Sequence, residues 1–139
     1  MPYDSHLRQE NLLVKSKARI LATGDFLAPE GLTSRFSSLQ KHSRATLKQW
    51  EQEHRIFSIE HDGQVYYPSY AFSSDGEVLP LLKEVIMVLH TKKDGWGLAF
   101  WFGSSNSYLG GAIPSIEFNS NPYSVLSAAV NETEGAQHG

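Results

Sequence analysis

The sequence predicts a mainly α-helical protein with a small β-hairpin, in which a winged helix-turn-helix-like unit precedes a small α-helical domain. Three observations support this fold class. A short helical stretch with cationic side chains runs directly into a β-hairpin over residues 43–72. Apolar residues then recur at helical spacing over residues 79–89. Short helical segments, separated by Gly, Pro and Asn, follow to the C-terminus.

The composition fits one compact domain or two small ones. The chain has 139 residues, of which 40% are hydrophobic and 12% aromatic, enough to build a core. Cysteine is absent, which excludes disulfides and cysteine-based chemistry and fits a cytoplasmic location. The N-terminus has no signal-peptide core and no apolar run is long enough to span a membrane, so we expect no membrane partner.

The net charge of −3 is unevenly distributed along the chain. Residues 1–55 carry nine Lys/Arg and six Asp/Glu, a balance of +3, whereas residues 56–139 carry three and nine, a balance of −6. Such an asymmetry favours a front half that faces a polyanion and a back half that faces a different partner. A chance asymmetry is the alternative.

The first 36 residues predict two helices. The stretch 5–23 is helix-friendly but has apolar residues on more than one face, and Gly24 is a plausible stop. This helix either serves as the arm of a homodimer or folds back onto its own domain. Leu32 and Phe36, four residues apart after Pro29, predict a second helix over 28–36. A turn over 37–42 follows.

The stretch 43–72 changes from helical to strand periodicity. Ser43 is a good N-cap for a helix over 43–54, on which Leu47 and Trp50 share a face. Strands are predicted over 55–60 and 65–67, joined by the turn dipeptide Asp62-Gly63 and ended by Pro68. We therefore expect a recognition helix followed by a wing over residues 25–72, with residues 1–24 as the separate N-terminal helix.

Basic and polar side chains on this helix and hairpin are the candidate contacts to double-stranded DNA, because such groups bind phosphates and base edges. An ordinary solvated face is the alternative. The aromatic residues of the same stretch fit a core better than a surface on which bases stack. The candidate DNA-binding residues are Lys41, His42, Ser43, Arg44, Thr46, Lys48, Arg55 and Gln64.

The back half, residues 73–139, predicts four more helices. A wide apolar stripe over 79–91 indicates a buried helix, and Asp94 is placed to cap the next one over 95–102. Paired glycines at 110 and 111 interrupt the chain before a short helix over 113–118. Pro122 starts the last helix, which we expect to end near residue 131, followed by a disordered tail.

The sequence offers no catalytic constellation. The six histidines do not fall into a metal-binding spacing, and neither a phosphate-binding loop nor a nucleophile motif is present. We therefore expect no enzyme activity, no metal and no cofactor.

Two sets of residues resemble a known family. Trp96 and Trp101, then the N-x-x-L-x-G-x-x-P motif over 106–114, then a short terminal helix with Pro122, resemble the toxin-binding domain of Xre/MbcA/ParS antitoxins. The resemblance covers roughly residues 79–131. The front segment is similar to the DNA-binding part of small bacterial proteins that carry this domain, through the Tyr-Pro-x-x-x-Phe motif over 67–72 and the Asp-Gly-x-Val-Leu-Pro segment over 75–80.

The resemblance implies a bacterial repressor of its own promoter that also neutralises a toxin, in this family usually a RES-domain toxin. An orphan adaptor or transcription factor without a toxin partner is the alternative. On this interpretation the motif residues, with apolar residues of the last helix as anchors, form the toxin-binding surface. These residues are Trp96, Trp101, Asn106, Leu109, Gly111, Pro114, Val125, Leu126 and Val130.

Overall fold

The computed structural model describes residues 2–36, 38–39 and 44–138. Over these residues the protein is mainly α-helical with one small antiparallel sheet, which confirms the predicted fold class. The predicted cap Ser43 and most of the turn over 37–42 lie outside the described residues. The elements in chain order are α1 (Pro2–Ala22), β1 (Phe26–Leu27), α2 (Pro29–Arg35), α3 (Arg44–Gln52), β2 (Ile59–His61), β3 (Gln64–Pro68), α4 (Pro80–Leu89), α5 (Gly95–Gly103), α6 (Pro114–Ser120) and α7 (Pro122–His138).

The hairpin forms at the predicted turn. Asp62 and Gly63 both have positive φ, 51° and 77°, and they join β2 to β3 with His61 opposite Gln64. Positive φ at both central residues is the geometry of the two-residue turns that match the twist of a hairpin, and Asp-Gly tolerates it well. The turn prediction is therefore confirmed.

The first strand of the hairpin is shorter than predicted, because Arg55, at the start of the predicted strand, takes part in the C-terminal cap of α3. The His54 N–H donates to the Glu51 carbonyl at 3.0 Å and the Arg55 N–H donates to the Trp50 carbonyl at 2.9 Å. His54 itself has a left-handed φ of 61°. This pair of hydrogen bonds is the Schellman ending of a helix. The predicted strand over 55–60 was wrong at its start, and β2 begins only at Ile59.

A third strand, β1, was not predicted. It pairs antiparallel with β3, with Phe26 opposite Pro68 and Leu27 opposite Tyr67, so the strand order is β1-β3-β2. Two residues are too few to show the alternation by which a strand is recognised in a sequence. The pairing connects the entrance of α2 to the hairpin.

One hydrophobic core runs through the front and back halves. The ring of Phe102 in α5 stacks on Phe57, with ring centroids 5.8 Å apart, and lies 5.5 Å from Tyr70. The N-terminus of α5 lies against the segment before β2, where a Cβ at Gly95 would collide with the Ser58 carbonyl oxygen. The predicted buried stripe on α4 is confirmed by its four buried residues Leu82, Val85, Ile86 and Leu89. The division of the chain at residue 72 stays a prediction.

Helix α1 is packed only along its C-terminal part. Ile20 is buried, and the Lys17 ammonium lies 5.0 Å from the centre of the Trp96 ring. The side chains over 6–15 are all exposed. A helix of 21 residues is about 30 Å long, so roughly half of it stands clear of the core. No helix among the described residues has the length and apolar content that crossing a membrane requires.

The last helix, α7, extends to His138, so the predicted disorder after residue 131 was wrong. Two contacts hold the first turn of this extension. The Glu132 carboxylate accepts a hydrogen bond from the Trp101 indole N–H at 3.0 Å and pairs with the Lys93 ammonium at 3.5 Å. A polar composition alone predicts disorder only where no such tertiary partner exists.

Candidate nucleic-acid and partner surfaces

The outer face of α3 is open to solvent. Ala45, Lys48, Gln49 and Gln52 are exposed and follow the i, i+3, i+4, i+7 spacing of one helical face, whereas Leu47 on the opposite side is buried. The four exposed residues, with Glu53, line one shallow depression. Among the described residues this face presents an exposed ammonium group and two exposed amides.

Gln49 and Gln52 are absent from the predicted DNA-binding residues. Neither glutamine is charged, and their exposure follows from the packing of α3 rather than from the sequence alone. The Gln49 amide donates to the Glu53 carboxylate at 3.2 Å, so Gln52 is the less constrained of the two. A glutamine amide can both donate and accept, which suits it to read a base edge.

Two of the predicted cations interact with acidic groups of the protein itself. Arg44 forms an ion pair with Glu30 of α2, and Arg55 lies 4.0 Å from the Glu53 carboxylate and 5.2 Å from the centre of the Trp50 ring. Both side chains remain partly exposed, so these pairs are weak and breakable. They connect α3 to its neighbours and leave Lys48 as the exposed cation in the middle of the outer face.

The other predicted DNA contacts do not extend this face. The Gln64 amide donates to the Val65 carbonyl at 2.9 Å within the hairpin, and Thr46 is half-buried with interactions of its own. The hairpin tip carries a carboxylate at Asp62, which lies 3.3 Å from the His61 imidazole. A carboxylate there disfavours approach to phosphates. Lys41, His42 and Ser43 lie outside the described residues.

The inner side of α3 is tied to the sheet through Tyr67. Burial, together with the charge and the hydrogen bond of the Glu51 carboxylate, raises the pKa of the Tyr67 hydroxyl to about 12. The hydroxyl therefore stays protonated and donates to Glu51 at neutral pH. This bond joins the inner side of α3 to β3.

Four of the nine predicted toxin-binding residues are buried and support the fold. Trp101 binds Glu132 of α7, and Val125 is fully buried. Pro114 is buried at the start of α6. The Asn106 side-chain oxygen accepts a hydrogen bond from the Tyr108 N–H at 2.9 Å, and the Asn106 backbone carbonyl accepts one from the Gly111 N–H at 2.9 Å. Pro114 and Val125 have almost no exposed surface, whereas Trp101 and Asn106 line a surface cavity of about 450 Å³.

The remaining five are partly accessible. Trp96 lies beside the hairpin, where its indole N–H donates to the Glu60 carbonyl at 3.1 Å. Gly111 is exposed with a φ of 93°, a conformation that glycine adopts without strain. Leu109, Leu126 and Val130 are half-buried. Whether these residues bind a partner stays a prediction.

The most exposed large apolar side chains of the back half are ones that sequence reasoning missed. Tyr123 and Ile116 are 72% and 69% exposed, and Tyr108 is 50% exposed. They lie on α7, α6 and the turn before α6. Ile116 and Tyr123 stand in predicted helices with apolar neighbours and Tyr108 stands in the turn of the family motif, so the sequence alone does not mark them as exposed.

Within the described residues, no three His, Asp or Glu side chains come together as the ligands of a metal ion would. The nearest approach of two histidines is the stack of His54 on His90, with ring centroids 4.3 Å apart.

No family model, curated protein or solved structure matches this chain.

Proposed function

We propose that this protein is a bacterial DNA-binding regulator of the antitoxin type, which binds its own promoter through α3 and a protein toxin through its back half. The observation that carries the proposal is the exposed face of α3, which is held by α2 and the hairpin but covered by neither. The toxin class, a RES-domain protein, rests on the sequence resemblance alone.

The α3 face has the dimensions and chemistry of a major-groove reader. From Ala45 to Gln52 the helix rises about 10 Å, close to the length of three base pairs. The Lys48 ammonium supplies a phosphate contact, and the Gln52 amide can pair with the N6 and N7 edge of adenine. The absence of bulky apolar side chains on this face lets the helix enter the groove.

The test is fluorescence anisotropy with a labelled duplex from upstream of the gene. Gln52→Ala should weaken binding by about 1–3 kcal/mol if the amide reads a base, and Lys48→Ala should weaken binding to all sequences alike. Lys83→Ala, which removes an exposed lysine of α4 far along the chain, is the matched control and should bind as the wild type does. Equal affinities for all four proteins would remove α3 from the DNA interface.

We also propose that the protein acts as a homodimer through the exposed part of α1. Leu7, Leu12, Leu13 and Val14 are between 41% and 65% exposed there. The exposed stretch over 6–15 is short enough to be marginal as a helix in water, so a second copy that covers these side chains would stabilise it. Two copies would also present two α3 helices to the two half-sites of a palindromic operator.

The toxin surface that we propose combines Tyr108, Ile116 and Tyr123. Tyrosine is enriched at binding hot spots because it brings a large apolar area and a hydroxyl with little conformational entropy. Co-purification with the product of an adjacent toxin gene tests it. Ile116→Ala with Tyr123→Ala should abolish capture, and the control Met87→Ala, at an equally apolar exposed site on α4, should not. Capture by the double variant at the wild-type level would place the partner elsewhere.

A second candidate function is a protein-binding adaptor that does not bind DNA. It is favoured by one observation: α3 carries Arg44, Lys48 and Glu51, a net charge of only +1, and acidic groups already contact Arg44. Such an adaptor would retain its protein partner but show no salt-dependent affinity for any duplex. The anisotropy titration described above therefore separates the two functions.

A further inference from the structure

A cleft at the junction of the front and back halves is lined by polar side chains that have no role in the function proposed above. It is formed by the segment before β1, the end of α2, the turn after β3, and α6, with a cavity volume of about 430 Å³. That volume lies in the range that small-molecule sites occupy. The cleft is separate from the α3 face, because none of the exposed α3 residues lines it.

Two opposite charges line this cleft without neutralising each other. Asp25 comes from the segment before β1, and Arg35 comes from the last turn of α2. Among the described residues, neither side chain has an ion-pair partner. The Arg35 guanidinium lies 5.8 Å from the centre of the Phe36 ring, which holds it at the cleft.

A buried hydroxyl without a partner lies at the same place. Tyr70 lines the cleft, and its ring packs edge-on to Phe26 with centroids 5.9 Å apart. Within the described part of the chain, its hydroxyl oxygen is the one buried side-chain oxygen or nitrogen that makes no hydrogen bond. Burial and the charge of Asp25 raise the pKa of this hydroxyl well above its usual range, so it is a proton donor at neutral pH.

The walls add hydroxyl groups and an apolar edge. Ser69 and Ser115 both line the cleft, and together with Asn106 they are the buried polar residues of the described chain. The rings of Phe36 and Phe72, with centroids 5.4 Å apart, form the apolar part of the lining together with Ile116, which the proposed toxin surface shares. Buried polar groups concentrate where a polar ligand or water completes their hydrogen bonds.

We propose that this cleft binds a free α-amino acid with an apolar or aromatic side chain. Its ammonium group pairs with the Asp25 carboxylate and its carboxylate pairs with the Arg35 guanidinium, which is suited to two parallel hydrogen bonds. The Tyr70 hydroxyl donates to the same carboxylate, and the ligand side chain lies against Phe36 and Phe72. The two opposite charges on the walls therefore favour a zwitterion over a singly charged ligand.

Because the cleft is lined both by residues of the front half, such as Asp25, and by Ser115 of α6, a bound amino acid would link the front half to the back half. This goes beyond the function proposed above, since it makes the protein responsive to a small metabolite. It does not depend on DNA binding or on a toxin.

The experiment is thermal unfolding of the full chain with each apolar and aromatic L-amino acid at 10 mM, from L-valine to L-tryptophan. At least one should raise Tm by several degrees, as a ligand that binds only the folded state does. Its N-acetyl derivative, which lacks the ammonium charge, and its amide, which lacks the carboxylate, should leave Tm unchanged.

Three variants assign the response to the cleft. Asp25→Asn and Arg35→Gln should lose it, and both should fold because neither side chain is fully buried. Tyr70→Phe should unfold at the wild-type temperature or above without ligand, since it removes a buried hydroxyl that has no partner, yet should bind the amino acid at least tenfold more weakly. Asp62→Asn, at the hairpin tip, should respond as the wild type does. The proposal is overturned if no amino acid raises Tm, if either derivative acts equally well, or if any of the three cleft variants keeps the full response.

Discussion

Helices α3 and α5 are both nine residues long, yet they relate to the rest of the molecule in opposite ways. In α3 only Leu47 is buried, and the residues of its outer face from Ala45 to Gln52 are exposed. Helix α5 buries Leu98, Ala99, Trp101 and Phe102, and its two indole N–H groups bind the hairpin and α7. Helix α3 therefore packs on its inner side and is exposed on its outer face, whereas α5 is largely buried.

This difference shows that a sequence motif does not by itself indicate a contact surface. The tryptophans and the Asn106 turn that carry the family resemblance are mostly used inside the molecule, where they join α5, α6 and α7. The residues of a motif can therefore be required for the packing of the fold even when they do not contact a partner. Exposed side chains without a structural task, such as Gln52 and Tyr123, are the better candidates for binding.

The largest expected effect comes from truncating the enclosed helix. Phe102→Ala should lower the free energy of unfolding by about 3–5 kcal/mol, because it leaves a cavity among Phe57, Tyr70 and Phe118. Gln52→Ala on the open helix should change it by less than about 0.5 kcal/mol. Urea denaturation followed by tryptophan fluorescence measures both. Similar losses for the two variants would mean that α3 and α5 are packed alike.

The two parts of α1 repeat the same contrast on a smaller scale. Leu13→Asp or Val14→Asp in the exposed part should weaken the dimer at least tenfold, because burial of each of these side chains contributes about 1.5–3 kcal/mol. The monomer should stay folded, since neither residue touches the core. Light scattering across a dilution series is the measurement. A wild-type protein that is monomeric at tens of micromolar would contradict the proposal that α1 is a dimerisation arm.

A smaller effect is expected at Tyr67, which fixes the inner side of α3. Between pH 10 and pH 12 the unfolded chain loses the Tyr67 proton while the folded chain keeps it, since the folded pKa is raised to about 12. Stability supplied by this group is therefore complete below pH 10 and falls as the pH rises toward 12. Tyr67→Phe should cost about 1 kcal/mol at pH 7 and should flatten this alkaline decline relative to the wild type. A wild-type and a variant curve that run parallel from pH 9 to pH 12 would contradict the bond to Glu51.

Much of the fold follows from local patterns in the sequence. The Asp62-Gly63 turn is the clearest case. Another is the Asp94 cap, whose carboxylate accepts from the Gly97 N–H at 2.7 Å as predicted. The start of α7 at Pro122 is also confirmed. Each depends on residues next to one another in the chain, where the preferences of single amino acids decide the backbone.

What the sequence could not predict depends on distant partners. Strand β1 exists because β3 offers it an edge 40 residues later, and the helical tail begins with a glutamate that Trp101 holds from 31 positions away. The exposure of the candidate surfaces could not be predicted for the same reason, because exposure is a property of the packed molecule. Arg44 looked free in the sequence, and the structure pairs it with Glu30.

The most direct test of the central claim is the salt dependence of promoter binding. We predict that the logarithm of the association constant falls linearly with the logarithm of the salt concentration. Lys48→Ala should reduce the magnitude of that slope by about 1, and Lys83→Ala should leave the slope unchanged. An identical slope for the wild type and Lys48→Ala, or no measurable affinity at low salt, would contradict a DNA-binding face on α3.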